Sequence, residues 1–156
     1  MEIVLRPVEA SDLDAIFEQM RDPVAVRMAA FTAEDPDDRA AFDAHMAKIM
    51  SSPENSVLAI VRDGQFVGTI GCYPLEGATE VTYWIDRTCW GQGIATQALR
   101  LLLADIPVRP IRARAASDNA GSLRVLEKAG FRPIGTDVGF AAARSCEISE
   151  TILELR

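Results

Sequence analysis

The run Tyr83-Trp84-Ile85-Asp86-Arg87-Thr88-Cys89-Trp90-Gly91-Gln92-Gly93-Ile94-Ala95-Thr96 joins an aromatic, β-branched strand to a glycine-containing loop that opens a helix. Gly91 and Gly93 lack a Cβ, so a ligand can approach their backbone closely, and Ala95 is nearly as small. The first amides of the following helix have no intrahelical acceptor. With the helix dipole behind them they form an anion site suited to a pyrophosphate. A loop that needs glycines only to turn would read the same, and Gly91-x-Gly93 alone leaves both readings open. The spacing fits neither the P-loop nor the Rossmann G-x-G-x-x-G pattern, which argues against both. Cys72, Cys89 and Cys146 are odd in number and form no CxxC pair; with a single histidine, His45, they offer no zinc-ligand set. They read as reduced thiols of a cytoplasmic protein. His45 shares a helix with Phe42, Met46 and Ile49 and reads as a surface or packing residue.

The elements that must position this loop follow from the pattern of the chain. Its 156 residues are 49% hydrophobic and 25% charged, so residues 1–156 are expected to form one globular domain. The net charge of −7 supplies no basic face, which argues against a nucleic-acid partner. No apolar run approaches the roughly 20 residues of a membrane span, and the N-terminus does not read as a signal peptide. Ile3–Arg6 reads as a strand. Ser11 is expected to cap a helix bearing Leu13, Ile16, Phe17 and Met20, Asp22-Pro23 to restart one, and Asp35-Pro36 to start another reaching about Met50. Val57–Arg62 and Phe66–Tyr73 flank an Asp63-Gly64 hairpin signal, and Glu80–Asp86 is the next strand. A helix from Gly91 to about Asp105 presents Ile94, Ala98, Leu101 and Leu102 on one face. Ile111–Ala116 is a strand with Ala113 and Ala115 turned inward. Asp118 or Asn119 caps a helix reaching Ala129, with Gly130 as its stop, and Phe131–Phe140 and Glu147–Leu155 are the last strands. The order predicts an α/β (α+β) fold, in which the strands around Glu80–Ala116 run parallel through a right-handed crossover.

A second segment, Asn119-Ala120-Gly121-Ser122-Leu123-Arg124-Val125-Leu126-Glu127-Lys128-Ala129-Gly130-Phe131, narrows the reading. Together with Trp90-Gly91-Gln92-Gly93-Ile94-Ala95-Thr96 it resembles the GNAT superfamily of acyl-CoA-dependent N-acyltransferases. Leu5-Arg6-Pro7 followed by Asp12-Leu13-Asp14 is similar to the start of that family, and the resemblance covers nearly the whole chain. Glu80-Val81-Thr82-Tyr83-Trp84-Ile85 and the Trp90 loop are similar to its RimJ/RimL-like branch. The implied fold is a mixed, mostly antiparallel sheet of about seven strands with helices on both faces.

The resemblance implies that acetyl-CoA is the co-substrate, that no metal is used, and that the acceptor is a primary amine, either a peptide N-terminus or a small molecule. The amides of Gly91, Gln92, Gly93, Ile94, Ala95 and Thr96 would hold the pyrophosphate. Trp84 and Ile85 would pair main chain with the pantetheine arm, and Asn119 and Ser122, one helical turn apart, would face the cofactor. Glu80 stands where this branch often carries an acid, so it is the candidate base; an ordinary solvated strand glutamate is the alternative. Leu126 occupies the position where many members place a tyrosine acid. That leaves Ser122 as the candidate near the sulfur, while Tyr83 reads as core or channel wall. Cys89 has no neighbouring histidine or lysine to activate it, so direct transfer in a ternary complex is preferred to an acyl-cysteine. The acceptor groove would involve residues 20–31, 34–38 and 140–146. There Glu34, Asp35, Asp37 and Asp38 either attract a cationic amine or simply favour a helix start. Dimers are common among related proteins, and the edge of the last strands offers a contact for a homodimer. A binding module that senses acyl-CoA without turnover is the alternative function.

Overall fold

The computed structural model describes all 156 residues. The strands are β1 (Ile3–Pro7), β2 (Ser56–Arg62), β3 (Gln65–Leu75), β4 (Ala78–Ile85), β5 (Ile111–Ala116), β6 (Arg132–Ala141) and β7 (Cys146–Leu155). The helices are α1 (Leu13–Met20), α2 (Pro23–Ala29), α3 (Arg39–Ser51), α4 (Ile94–Asp105) and α5 (Ala120–Lys128). The strands make one sheet in the order β1-β2-β3-β4-β5-β7-β6, with helices on both faces. Local chemistry explains much of this. Asp63 and Gly64 both take positive φ, 49° and 84°, which the tight β2–β3 hairpin requires. Asp22 accepts from the amides of Val24 and Ala25 to cap α2, with Pro23 in its first turn, and Asn119 caps α5.

Every neighbouring pair of strands is antiparallel except β4 and β5. Those two pair in parallel only through Thr79 with Ile111 and Glu80 with Arg112. Beyond that point β4 stays paired with β3 as far as Ile85, and β5 with β7 as far as Ala116, with no ladder between them. The sheet therefore splits into a V that opens toward the carboxyl ends of both strands. That end is where ligands bind in open α/β sheets.

Side-chain alternation along β4 separates two surfaces. Val81 and Ile85 join Ile94, Ala98, Leu99 and Leu102 of α4 and Leu126 of α5 in the main core. Glu80, Thr82 and Trp84 point the other way, toward α1 and α2, where the Trp84 indole N–H donates to the Gln19 carbonyl at 3.2 Å. On that side Ile16, Met46, Val8 and Ala59 make a second cluster, and the Phe17 and Phe42 rings meet edge to face at 5.2 Å.

Three local expectations are corrected. Ser11 is exposed and caps nothing; Ala10–Asp12 form a 3-10 turn in which Glu9 and Asp12 make a reciprocal capping box. Arg6 fixes Asp12 there with two bonds of 2.7 and 3.0 Å. The third helix is capped by Asp38, whose side chain accepts from the Ala41 amide, so Asp35-Pro36 belongs to the preceding turn. Leu101 is 41% exposed and Leu99 is in the core instead, because the buried face of α4 is centred on Ala98 and Leu102 and Leu101 falls at its margin.

Candidate active site

The carboxyl end of β4 runs into a short 3-10 turn, Arg87–Cys89. Asp86 caps it by accepting from the Thr88 amide at 2.9 Å and the Thr88 hydroxyl at 2.7 Å. The Trp90 indole N–H closes back on the Ile85 carbonyl at 2.9 Å. Gly91 and Gly93 then adopt φ of 76° and 78°, a left-handed conformation that a side chain would strain. An added Cβ at either would meet nothing within 4 Å, so the loop faces open space. The first bond of the helix is from the Gln97 amide to the Gly93 carbonyl at 3.1 Å. The six amides from Gly91 to Thr96 donate to no acceptor in the chain. Six consecutive free donors lie at the mouth of the V, and oriented, unpaired amides of this kind can receive an anion. The Arg62 guanidinium, from the end of β2, reaches the Gln92 side chain in this loop.

Across the V, α5 begins at Asn119, whose Oδ1 accepts from the Ser122 amide at 3.2 Å. Ser122 faces β4, and its Oγ lies 2.8 Å from the Tyr83 hydroxyl. Burial pushes the Tyr83 phenol up to about 12, so it stays protonated at neutral pH. Sequence reading treated these two side chains separately; the structure makes them one pair. Leu126, the position for which the resemblance implied a tyrosine in many members, is 1% exposed and part of the core.

On the opposite surface of β4, Glu80 sits at the apex of the V, at the last paired position before the strands part. It is 2% exposed, which removes the solvated-glutamate alternative. Arg114 of β5 approaches it, Nε to Oε1, at 3.4 Å, yet neither atom has a hydrogen-bond partner. Burial raises the Glu80 carboxyl above the usual range, Arg114 opposes that, and Glu150 of β7 adds to it. Thr82, the next residue on the same surface, is exposed although β4 is the central strand, so the first helices leave the sheet uncovered there.

The remaining candidates fall away from this centre. His45 is exposed on α3. In the acidic group at residues 34–38, Asp38 caps α3, Asp37 pairs with Arg21 at 2.8 Å, and Asp35 accepts from the Asp37 amide. Three of those four acids thus serve local structure. Sequence reading missed Tyr73, Arg114 and Glu150, which surround Glu80. The signal available was Ile111-Arg112-Ala113-Arg114-Ala115: arginines at alternate positions of an interior strand put two guanidinium groups on one covered surface, where they need carboxylates.

Residues 2–132, well over half the chain, match the family described as Acetyltransferase (GNAT) domain. A curated relative, Probable N-acetyltransferase YjcK of Bacillus subtilis, is 35% identical over 81 residues, which are 47% of this chain and 45% of that protein. The match thus spans about half the length of each. Spermidine N-acetyltransferase from Vibrio cholerae, solved with CoA and spermine, shares the fold with a TM-score of 0.83 at 15% identity, over 98% of this chain and 94% of that one. RimJ of Mycobacterium smegmatis, solved with CoA-disulfide, gives a TM-score of 0.83 at 21% identity, over 98% and 81%. Since the family match runs through both the free-amide loop and the two parted strands, the chain belongs to the GNAT acetyltransferases and carries their N-acetyltransferase domain.

Proposed function

We propose that residues 1–156 act as one unit that transfers an acetyl group from acetyl-CoA to a primary amine, by direct attack in a ternary complex. The six free amides from Gly91 to Thr96 at the open end of the split sheet carry this reading. They would hold the pyrophosphate: no side chain crowds the loop, and oriented amides bind anions without first losing other partners. The β4 main chain around Trp84 and Ile85, unpaired on its β5 side, would receive the pantetheine arm as a further strand. Asn119 uses its Oδ1 for the cap and keeps its Nδ2 free to donate. Bound acetyl-CoA supplies the activated acyl thioester. Glu80 takes the proton that a primary ammonium must lose, and its burial raises its basicity toward neutral pH, where a general base works best. Ser122 assists the leaving thiol by donating a hydrogen bond to the developing thiolate, which takes its proton from solvent, and the protonated Tyr83 hydroxyl holds the serine in place. The RimJ/RimL-like branch is the subfamily we favour, supported by the Glu80–Ile85 and Trp90–Thr96 segments and by the shared fold of one RimJ. Three free cysteines suit a reducing compartment, and we place the protein in the cytoplasm.

Buried Leu126 favours a second reading, an acyl-CoA-binding module without turnover. Calorimetric titration with acetyl-CoA, followed by a thiol-release assay on a panel of amines, separates the two. The wild type should bind and turn over. Gly93→Asp, which puts a negative charge and a strained φ among the six amides, should stay folded by circular dichroism and lose binding. Unchanged affinity in a folded Gly93→Asp protein would rule out the loop as the pyrophosphate site.

A further inference from the structure

We propose that the acceptor carries at least two positive charges, as an aliphatic diamine or polyamine does, and that Glu76 and Glu150, beside Arg114, hold its second ammonium group while the reacting one meets Glu80. This rests on the acetyltransferase reading of the same site. Arg114 projects from β5 on the Glu80 side of the sheet and faces three carboxylates. Its Nη2 is 3.3 Å from Glu76, its Nε 3.4 Å from Glu80 and its Nη1 3.7 Å from Glu150. Asp137 of β6 stands directly opposite Glu150 in the β6–β7 ladder, a like-charge pairing that destabilises a sheet. The other nearby arginine, Arg112, is already paired with Glu154 at 3.1 Å. One guanidinium therefore faces three carboxylates, Asp137 adds a fourth negative charge beside Glu150, and the surface keeps an excess of negative charge.

A second observation shows that this charge is incompletely paired. The Oε1 of Glu80 is buried without a hydrogen-bond donor, 3.4 Å from an arginine nitrogen that also lacks an acceptor. A buried carboxylate with an unused acceptor costs stability, and Thr82, two residues along the same surface of β4, is exposed. An ammonium ion supplies three donors and one positive charge, which is what the group lacks. The competing idea, that Arg114 receives the carboxylate of an amino-acid acceptor, is opposed by charge: three carboxylates of this chain already lie 3.3, 3.4 and 3.7 Å from its guanidinium. An anionic acceptor would bring a further negative charge among four. Burial raises both Glu80 and Glu150, and a bound cation would draw both back toward ionisation, so polyamine affinity should strengthen as pH rises.

The test is thiol release by the full chain with acetyl-CoA and 1,4-diaminobutane, spermidine, n-butylamine or glutamate, alongside calorimetric titration with acetyl-CoA. The diamine and spermidine should exceed butylamine in kcat/KM by about tenfold or more, and glutamate should be poorest. Glu150→Gln should reduce the diamine-to-butylamine ratio by about tenfold, mainly through KM for the diamine. Glu76→Gln, at an exposed position that folding tolerates, should shift the ratio in the same direction and keeps the test decisive if Glu150→Gln misfolds. Equal rates for diamine and butylamine, a preference for glutamate, or an unchanged ratio in both folded variants would overturn the cation pocket while leaving acetyl transfer intact. Failure to bind acetyl-CoA, or to acetylate any amine, would overturn the enzymatic reading and the pocket's acceptor role with it.

Discussion

Glu80 joins burial to chemistry. In water a primary amine with a lysine-like pKa near 10 is almost wholly protonated, so attack needs a proton acceptor. A carboxyl raised by burial is a better acceptor than a solvated one, and its cost appears in stability. In the unfolded chain Glu80 has an ordinary pKa near 4.3, and in the fold it lies higher. Between those values the folded state binds more protons than the unfolded state, so stability falls as pH climbs through the window. Glu80→Gln keeps the shape and removes the charge. Its turnover should fall by about 10²–10⁴-fold with acetyl-CoA affinity retained, and the acid limb of the pH–rate profile should vanish. It should also melt above wild type at about pH 8 and level with it below about pH 4, where both states hold the proton. A full-rate Glu80→Gln enzyme with an unchanged pH profile would show that the proton goes elsewhere. Asp12 is the opposite case: its bonds to Arg6 lower it, so its contribution is present above the ordinary carboxyl range and lost as pH falls through the depressed value.

The elements divide by whether their causes are local. The Asp63-Gly64 hairpin, the Asp22-Pro23 cap and the Asn119 cap were legible because one dipeptide or one side chain decides each. The capping box at Glu9–Asp12 was misread because Arg6, six residues from Asp12, selects which acid is fixed. The loop residues of the site were legible for the same local reason as the hairpin. The surroundings of Glu80 were not, since Tyr73, Arg114 and Glu150 reach it only through strand order and register. Close approach of strands also has to be seen in three dimensions. A Cβ on Gly71 would stand 2.0 Å from the Ser56 carbonyl oxygen, and one on Gly68 would stand 2.2 Å from that of Trp84. Both contacts are with backbone, so a strand must move. Gly71→Ala should therefore lose about 1–3 kcal/mol in chemical denaturation, as overpacked sites do. Gly135→Ala, on β6 with nothing within 4 Å, should stay within about 0.5 kcal/mol of wild type. Equal stabilities for the two would mean that the β2–β3 contact is soft.

At the scale of the whole molecule, two blocks of antiparallel sheet, β1–β4 and β5–β7, are joined side by side through two paired residues at the apex of the V. A path through α2 also bridges the divide. Arg144, in the turn between β6 and β7, donates to the Arg27 carbonyl at the end of α2, and Arg87 after β4 pairs with Asp22 at the other end of α2 at 2.9 Å. Within the second block Arg144 also pairs with Asp118 before α5. Beyond Glu80 no strand hydrogen bond links β4 to β5. A ligand whose arm adds to the free edge of β4, and whose pyrophosphate takes up the six amides, supplies bonds that span the gap. It binds the folded state alone, because the loop, the strand edge and α5 converge only there. Saturation at 100 times Kd should then stabilise the fold by about 2.7 kcal/mol, a rise in Tm of roughly 5–10 °C for a chain of this size. Hydrogen exchange should slow most at the amides of Gly91–Thr96 and along β4 from Val81 to Ile85, and little on β1 or β6. Gly93→Asp should show neither effect. Protection confined to α1 and α2, with the loop amides exchanging as fast as before, would place acetyl-CoA outside the V.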